Sequence, residues 1–225
     1  MNREPFAEGE YYHIYNQGID KRDITSDSYD LNRLIQSLVE FNTEDPIGSI
    51  FENSFQKGKD KSDKGKDKNS KRLIDIVCYC INPNHLHLLV RAVTDNGIPN
   101  FMHRFFTGYT KYFNQKYKRR GALFQGTYKS KHVTDNNYLL HLSAYVNFND
   151  RVHRLGSLTS KSSCSSWDFY VTGNESVPGL VSGEEIILDQ FDDRSEYKVF
   201  AEDSLVSMLE EKNEEEEFKN LLFEE

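Results

Sequence analysis

The residues with the clearest capacity for chemistry are two histidines inside an apolar run, His85-Leu86-His87. In an extended strand alternate side chains share a face, so both imidazoles project to one side of a sheet while Leu86 and Leu88 point to the other. Two imidazoles on one face are half of a divalent-metal site; a packed, hydrogen-bonded histidine pair is the other meaning of the same spacing. A second pair stands at Tyr145 and Asn149, four apart in residues 137–149 (NYLLHLSAYVNFN), which places them on one helix face with His141 on the same stripe. A phenol beside an amide supplies a nucleophile and a neutral oxygen ligand, although the same tyrosine would also serve as a core aromatic. The third feature is residues 101–131, which hold Arg104, Lys111, Lys116, Lys118, Arg119, Arg120, Lys129 and Lys131 and no acid. Aromatic residues are interleaved through it: Phe105, Phe106, Tyr109, Tyr112, Phe113, Tyr117, Phe124 and Tyr128. Such a stretch can follow a phosphate backbone and stack on unpaired bases, or it can be a helix with an apolar core face and a solvated basic one.

The elements that must position these groups can be read from hydrophobic periodicity. Residues 10–19 (EYYHIYNQGI) alternate and end on Asn-Gln-Gly, a strand and a turn. Residues 29–42 carry Leu31, Leu34, Ile35, Leu38 and Val39 at helical spacing. Two apolar runs, 73–81 and 85–91, flank Asn82-Pro83-Asn84 and predict a hairpin that places the histidines just past its turn. Residues 98–117 predict a long helix, 122–133 a further strand, and Asp135 caps the helix that carries Tyr145. Short helices are expected near 182–191 and 195–212. Strand, helix, two hairpin-linked strands, helix, strand and helix in that order predict an α+β domain on an antiparallel sheet.

Residues 57–71 (KGKDKSDKGKDKNSK) contain no apolar side chain and predict a flexible charged insertion rather than core. The net charge of −8 conceals a division. Residues 174–225 hold 17 acids against 4 bases, a balance of −13, so residues 1–173 hold 19 acids against 24 bases, a balance of +5. A basic body with an acidic tail keeps nucleic acid among the partners. No run is long and apolar enough for a membrane span or a signal-peptide core. The three cysteines form no CxxC pair, and Cys78 and Cys80 share a strand face, as core residues of a reduced, cytoplasmic protein would.

Four segments in order resemble one family. The run from Cys80 to Leu89 (CINPNHLHLL) is similar to the HUH motif of the single-tyrosine transposases, and Tyr12 to Gly18 (YHIYNQG) resembles that family's first strand. Tyr112-Phe113-Asn114 through Gly121 to Ser130 is similar to its central segment, and 138–149 to the helix bearing its tyrosine. The resemblance covers roughly residues 10–156 and extends to the IS200-like superfamily, in particular the branch of REP-associated tyrosine transposases.

It implies a ferredoxin-like (RRM-like) antiparallel sheet with helices on one face, occupying residues 1–156, followed by a Ser-rich and then acidic helical extension over 157–225. It implies that His85, His87 and Asn149 bind Mg²⁺ or Mn²⁺. Tyr145 would attack a scissile phosphate of single-stranded, hairpin-forming DNA through a 5′-phosphotyrosine. The basic residues of 101–131 would hold that DNA, and a homodimer is one known arrangement of the family. Asp150 stands where the family often has proline. Two other functions fit the same residues: an RRM-like binding module without catalysis, and an HUH nuclease that nicks in replication or mobilisation.

Overall fold

The computed structural model describes residues 5–52, 71–152 and 163–222. The insertion expected at 57–71 therefore lies, apart from Lys71, outside the described residues, as does the expected domain boundary at 156. Strand β1 (Tyr11–Gln17) leads through a 3₁₀ turn (Ile19–Lys21) to helix α1 (Ser28–Glu40). Strands β2 (Ile74–Ile81) and β3 (His85–Ala92) form the hairpin, followed by helix α2 (Gly97–Lys116) and strand β4 (Lys129–His132). Helices α3 (Asn136–Asn147) and α4 (Asn149–Val152) come next, then strand β5 (Cys164–Ser165) and helices α5 (Trp167–Thr172), α6 (Glu185–Leu188) and α7 (Arg194–Leu222).

One sheet is formed in the order β4-β1-β3-β2-β5, with every pair antiparallel. Its first four strands with α1 and α2 give the β-α-β-β-α-β order of a ferredoxin-like domain, the α+β class expected from the element order. The strand expected over 122–133 is shorter: only Lys129–His132 pairs continuously with β1, and an isolated bridge joins Phe124 to Gly18. Gly121 and Gly126, both at positive φ, interrupt that stretch.

Helices lie on both sides of the sheet, α1 and α2 on one and α3 on the other. On the first face, Phe6 packs edge-on against Tyr12 and stacks on Tyr128, which meets Phe106 of α2. Helix α2 approaches the end of α1 closely at Gly108, where an added Cβ would fall 2.4 Å from the Phe41 ring. On the opposite face α3 crosses the sheet, bringing Tyr145 against His13 and His87. With helices on both sides, all eight residues of β2 are buried, which explains a run with no polar alternation. A bulge at Val77 shifts the β2–β3 register, and the Val77 carbonyl accepts from the Tyr170 hydroxyl of α5 at 2.9 Å. Among the described residues no helix is long and apolar enough to cross a membrane.

The C-terminal segment packs into the same core: Tyr170, Leu180, Ile187, Tyr197 and Ala201 are all buried in one cluster with the sheet. Its most polar seam is satisfied bond by bond. Asn147 Nδ2 donates to the Tyr197 hydroxyl at 2.9 Å, Ser143 Oγ lies 3.1 Å from that oxygen, and Ser166 Oγ donates to Asn147 Oδ1 at 2.6 Å. Ser166 Oγ in turn accepts from the Tyr79 amide at 3.0 Å, which ties α3, α7 and β2 together through buried hydrogen bonds.

Helix α1 begins at Asp27, whose side chain accepts from the Asp30 amide, and α3 begins at Asp135, which accepts from the Tyr138 amide. Asp30 itself is fully buried, and its carboxylate accepts from the Ser26 amide and from the hydroxyls of Tyr112 and Tyr117. The ammonium of Lys116 bridges it at 2.7 Å to Asp27, also at 2.7 Å. Replacing Lys116 with methionine removes the cation facing a buried carboxylate and is expected to cost about 3 kcal/mol. Urea denaturation of the variant checks this, and an unchanged midpoint would show that the phenols alone suffice.

Candidate active site on the histidine face of the sheet

The strands place His13, Tyr15, His85 and His87 on one face. Tyr15 lies across from His87 in the β1–β3 pairing, and Gln17 across from His85, while His13 is the diagonal neighbour of His87. The rings touch as this geometry requires. Tyr15 lies nearly parallel to His87 with centroids 5.6 Å apart, and His13 stacks on His87 at 5.1 Å. His85 meets His87 edge-on at 5.3 Å. The Tyr145 ring stands edge-on to both His87 and His13, at 5.6 and 6.1 Å.

The hairpin turn aims the first histidine. Asn82 N–H donates to the His85 carbonyl, and the Pro83 carbonyl accepts from the amides of Ile24 and Thr25, so the turn is pinned to the β1–α1 connection. Asn84 Nδ2 donates to the Lys21 carbonyl at 3.3 Å, which turns its Oδ1 to His85 Nδ1 at 2.7 Å. Asn84 Oδ1 can only accept, so the proton sits on Nδ1 and His85 Nε2 keeps a lone pair. That nitrogen lies 2.8 Å from Asn149 Oδ1, and the amide of Asn82 donates to both, at 2.9 and 2.8 Å.

Tyr145 and Asn149 come together, but not on one continuous helix. Phe148 caps α3 with non-helical dihedrals (φ −107°, ψ 14°), and Asn149 opens the short turn α4. The Phe148 amide still bonds to Ala144, and Val152 N–H bonds to the Phe148 carbonyl, so the chain continues its course and Asn149 still faces the histidines. Asn149 is completely buried, and its Nδ2 has no hydrogen-bond partner among the described residues. His141 does not join the site: it lies on the exposed side of α3, against Ser204 and Phe200 of α7.

Burial governs the protonation of these groups. It pushes the Tyr145 phenol above its ordinary value, an effect opposed by the Asn149 side chain. It pushes His85 down, again opposed by Asn149. His13 is lowered to about 4 by burial and by the nearby Lys131 ammonium, so it is a neutral imidazole at pH 7.

The basic residues divide between the two faces. Lys129 and Lys131 pair with Tyr15 and His13 across β4–β1, so they flank the site; Lys129 Nζ lies 5.8 Å above the Tyr15 ring and Lys131 Nζ 4.4 Å above Tyr138. Lys116 is engaged by Asp27 and Asp30, and Arg104 donates to the carbonyls of Thr43 and Glu44. Arg119 is held by Asn114 Oδ1 and the Ala122 carbonyl. Lys111 lies on the exposed surface of α2, away from the histidines, in a groove with Arg33 and Arg104; Lys118 and Arg120 are exposed beyond that helix.

The aromatics of 101–131 are largely core: Phe105, Tyr109, Phe113, Phe124 and Tyr128 are buried. Of the tyrosines in that stretch, Tyr109 bonds to the Ile24 carbonyl, Tyr112 and Tyr117 to Asp30, and Tyr128 lies among Phe6 and Phe106 on the other face. Periodicity had not singled out His13, Tyr15, Asn82 or Asn84 as functional, although the alternation of β1 already put His13 and Tyr15 on one face.

Residues 59–149 match the family described as "Transposase IS200 like", a span that includes β2 to α3, both motif histidines, Tyr145 and Asn149. Among solved structures the chain is similar to one described as a REP-associated tyrosine transposase bound to a REP hairpin, at 11% identity and a TM-score of 0.46, covering 68% of this chain and 73% of that one. No curated protein matches. Over the segment that holds this site, the chain is therefore similar to the IS200-like transposases.

Proposed function

We propose that the protein cleaves and rejoins single-stranded DNA at hairpin-forming sites in the cytoplasm, through a covalent 5′-phosphotyrosine on Tyr145, in the manner of the REP-associated branch. The observation that carries this reading is the convergence of His85 Nε2 and Asn149 Oδ1 at 2.8 Å on the face where His87 and Tyr145 meet. Two lone pairs at that distance repel unless positive charge lies between them, and the Asn82 amide supplies only partial charge. Two imidazoles and an amide oxygen are therefore a donor set that suits a divalent cation, with His85, His87 and Asn149 as the ligands. Mg²⁺ or Mn²⁺, when bound, supplies Lewis-acid polarisation of a phosphate oxygen.

The chain's own residues do the rest. The Tyr145 oxygen forms a bond to phosphorus as the phosphorus–O3′ bond breaks, leaving a phosphotyrosine at the 5′ side and a 3′-hydroxyl. Attack by the 3′-hydroxyl of a second end reverses the step, so rejoining needs no external energy source. Lys129 and Lys131, on the edge strand beside the site, meet the backbone phosphates of the incoming strand. Helix α3 lies over its own sheet and is hydrogen-bonded to α7, an arrangement in which the tyrosine serves its own histidines and a homodimer is not required.

The test is incubation of the protein with labelled hairpins from the DNA flanking its gene, with Mn²⁺ or with EDTA, followed by denaturing electrophoresis. A protein–DNA adduct that forms with Mn²⁺, fails with EDTA and fails in His85→Ala is the expected outcome. Hairpin binding without an adduct under any condition would favour a binding module that lacks catalysis. A nick without rejoining would favour a replication or mobilisation nuclease.

A further inference from the structure

Both motif histidines have the same ring nitrogen occupied by a partner. His85 Nδ1 faces Asn84 Oδ1 at 2.7 Å, and His87 Nδ1 faces His13 Nε2 at 2.9 Å. The first partner lies next to its histidine in sequence. The second comes from a different strand, 74 residues away, and is as deeply buried as His87 itself, at 7% and 8% exposure.

We propose that His13 is a positioning residue that sets the tautomer of His87, accepting the His87 Nδ1 proton at its own Nε2 so that His87 directs an Nε2 lone pair into the site. This rests on the reading of His85, His87 and Asn149 as metal ligands. The contact at 2.9 Å carries one proton, and only one of its two placements suits a ligand. With the proton on His13 Nε2, His87 must hold its own proton on Nε2 and cannot bind through it. With the proton on His87 Nδ1, Nε2 is a donor atom, matching the tautomer that Asn84 imposes on His85.

The surroundings enforce the contact. His13 is the diagonal neighbour of His87 across β1–β3, the two rings stack at 5.1 Å, and Tyr15 lies parallel to His87 at 5.6 Å, so the His87 ring has little freedom to rotate away. The titratable groups that face the pair are Tyr15, His85 and Tyr145, which meet it through their rings, and Lys131, which acts on His13 from β4 and carries no acceptor.

The experiment combines two measurements on the full chain. The first is the ¹⁵N spectrum of the histidine rings in the metal-free protein, where His87 is expected to carry its proton on Nδ1. The second is calorimetric titration with Mn²⁺ of the wild type, His13→Phe and His13→Gln. Phenylalanine keeps the stacked ring but accepts no hydrogen bond, and is expected to weaken Mn²⁺ binding by about 10- to 100-fold. Glutamine can present an acceptor at a similar reach and is expected to restore binding to within a few-fold of wild type.

A His87 proton on Nε2 overturns the proposal, as does Mn²⁺ binding by His13→Phe equal to wild type, or a glutamine variant as weak as phenylalanine. Those results leave the metal site itself standing. Failure of the wild type to bind Mn²⁺ overturns the ligand reading and the proposal with it. If His13→Phe does not fold, the wild-type ring spectrum and the glutamine variant still decide.

Discussion

Tyr145→Phe is expected to abolish the covalent adduct while leaving hairpin binding nearly unchanged. The substitution removes one oxygen and nothing else from a half-buried ring whose packing against His13 and His87 is edge-on. If Tyr145 is the nucleophile, no other group can replace it. Tyr109, Tyr112, Tyr117 and Tyr128 are committed elsewhere, and the expected loss in adduct rate is on the order of a thousandfold or more. Tyr15 and Tyr138 lie near the site, each beneath a lysine, and Tyr11 shares the face farther along β1, opposite Arg91. An adduct that persists in Tyr145→Phe and disappears in Tyr15→Phe would transfer the role to Tyr15.

The same phenol predicts a pH dependence. Burial raises its proton affinity above the ordinary value near 10, so the deprotonated fraction continues to grow throughout the range from pH 7 to 9. Single-turnover adduct formation should therefore rise with pH over that interval. A plateau below pH 9 would mean that another group already takes the proton at neutrality.

Tyr197→Ala is expected to be the most destabilising of the C-terminal substitutions. The ring is fully buried between Tyr170 at 4.9 Å and Phe191 at 5.3 Å, and its hydroxyl joins Ser143 and Asn147 of the tyrosine-bearing helix. Removing a buried aromatic costs about 3–5 kcal/mol from the cavity, and the buried Asn147 amide loses its acceptor as well. Against a typical total of about 5–15 kcal/mol, that is a large share of the stability of the whole domain. Tyr197→Phe keeps the ring and removes only the hydroxyl, so it should cost about 1–2 kcal/mol.

Chemical denaturation of the two variants separates packing from hydrogen bonding. Equal, small losses in both would mean that α7 is not coupled to the core as its contacts indicate. Because the Tyr197 hydroxyl bonds to the helix that carries Tyr145, the phenylalanine variant should also slow adduct formation more than it weakens hairpin binding.

Much of this protein could be read from local chemistry. The alternation of β1, the hairpin at Asn82-Pro83-Asn84 and the periodicity of α1, α2 and α3 are short-range patterns, and strand period alone places His85 and His87 on one face. The ordered resemblance then joined those histidines to Tyr145 and Asn149. What local patterns could not supply was any quantity that depends on which surfaces meet. The basic stretch 101–131 reads as one feature in sequence, yet the fold divides it: Lys129 and Lys131 flank the histidines, while Lys116 neutralises Asp30, a carboxylate 86 residues earlier.

The aromatics of that stretch are core because α2 lies against the sheet, a fact periodicity allows but does not select. Asn149 faces His85 although the helix stops at Phe148, because the backbone turns within its last hydrogen bonds rather than ending there. His13 reaches His87 only through strand pairing. Residue type and spacing determined which groups could do chemistry; tertiary structure decided which of them meet, since burial and hydrogen-bond geometry depend on contacts made far along the chain.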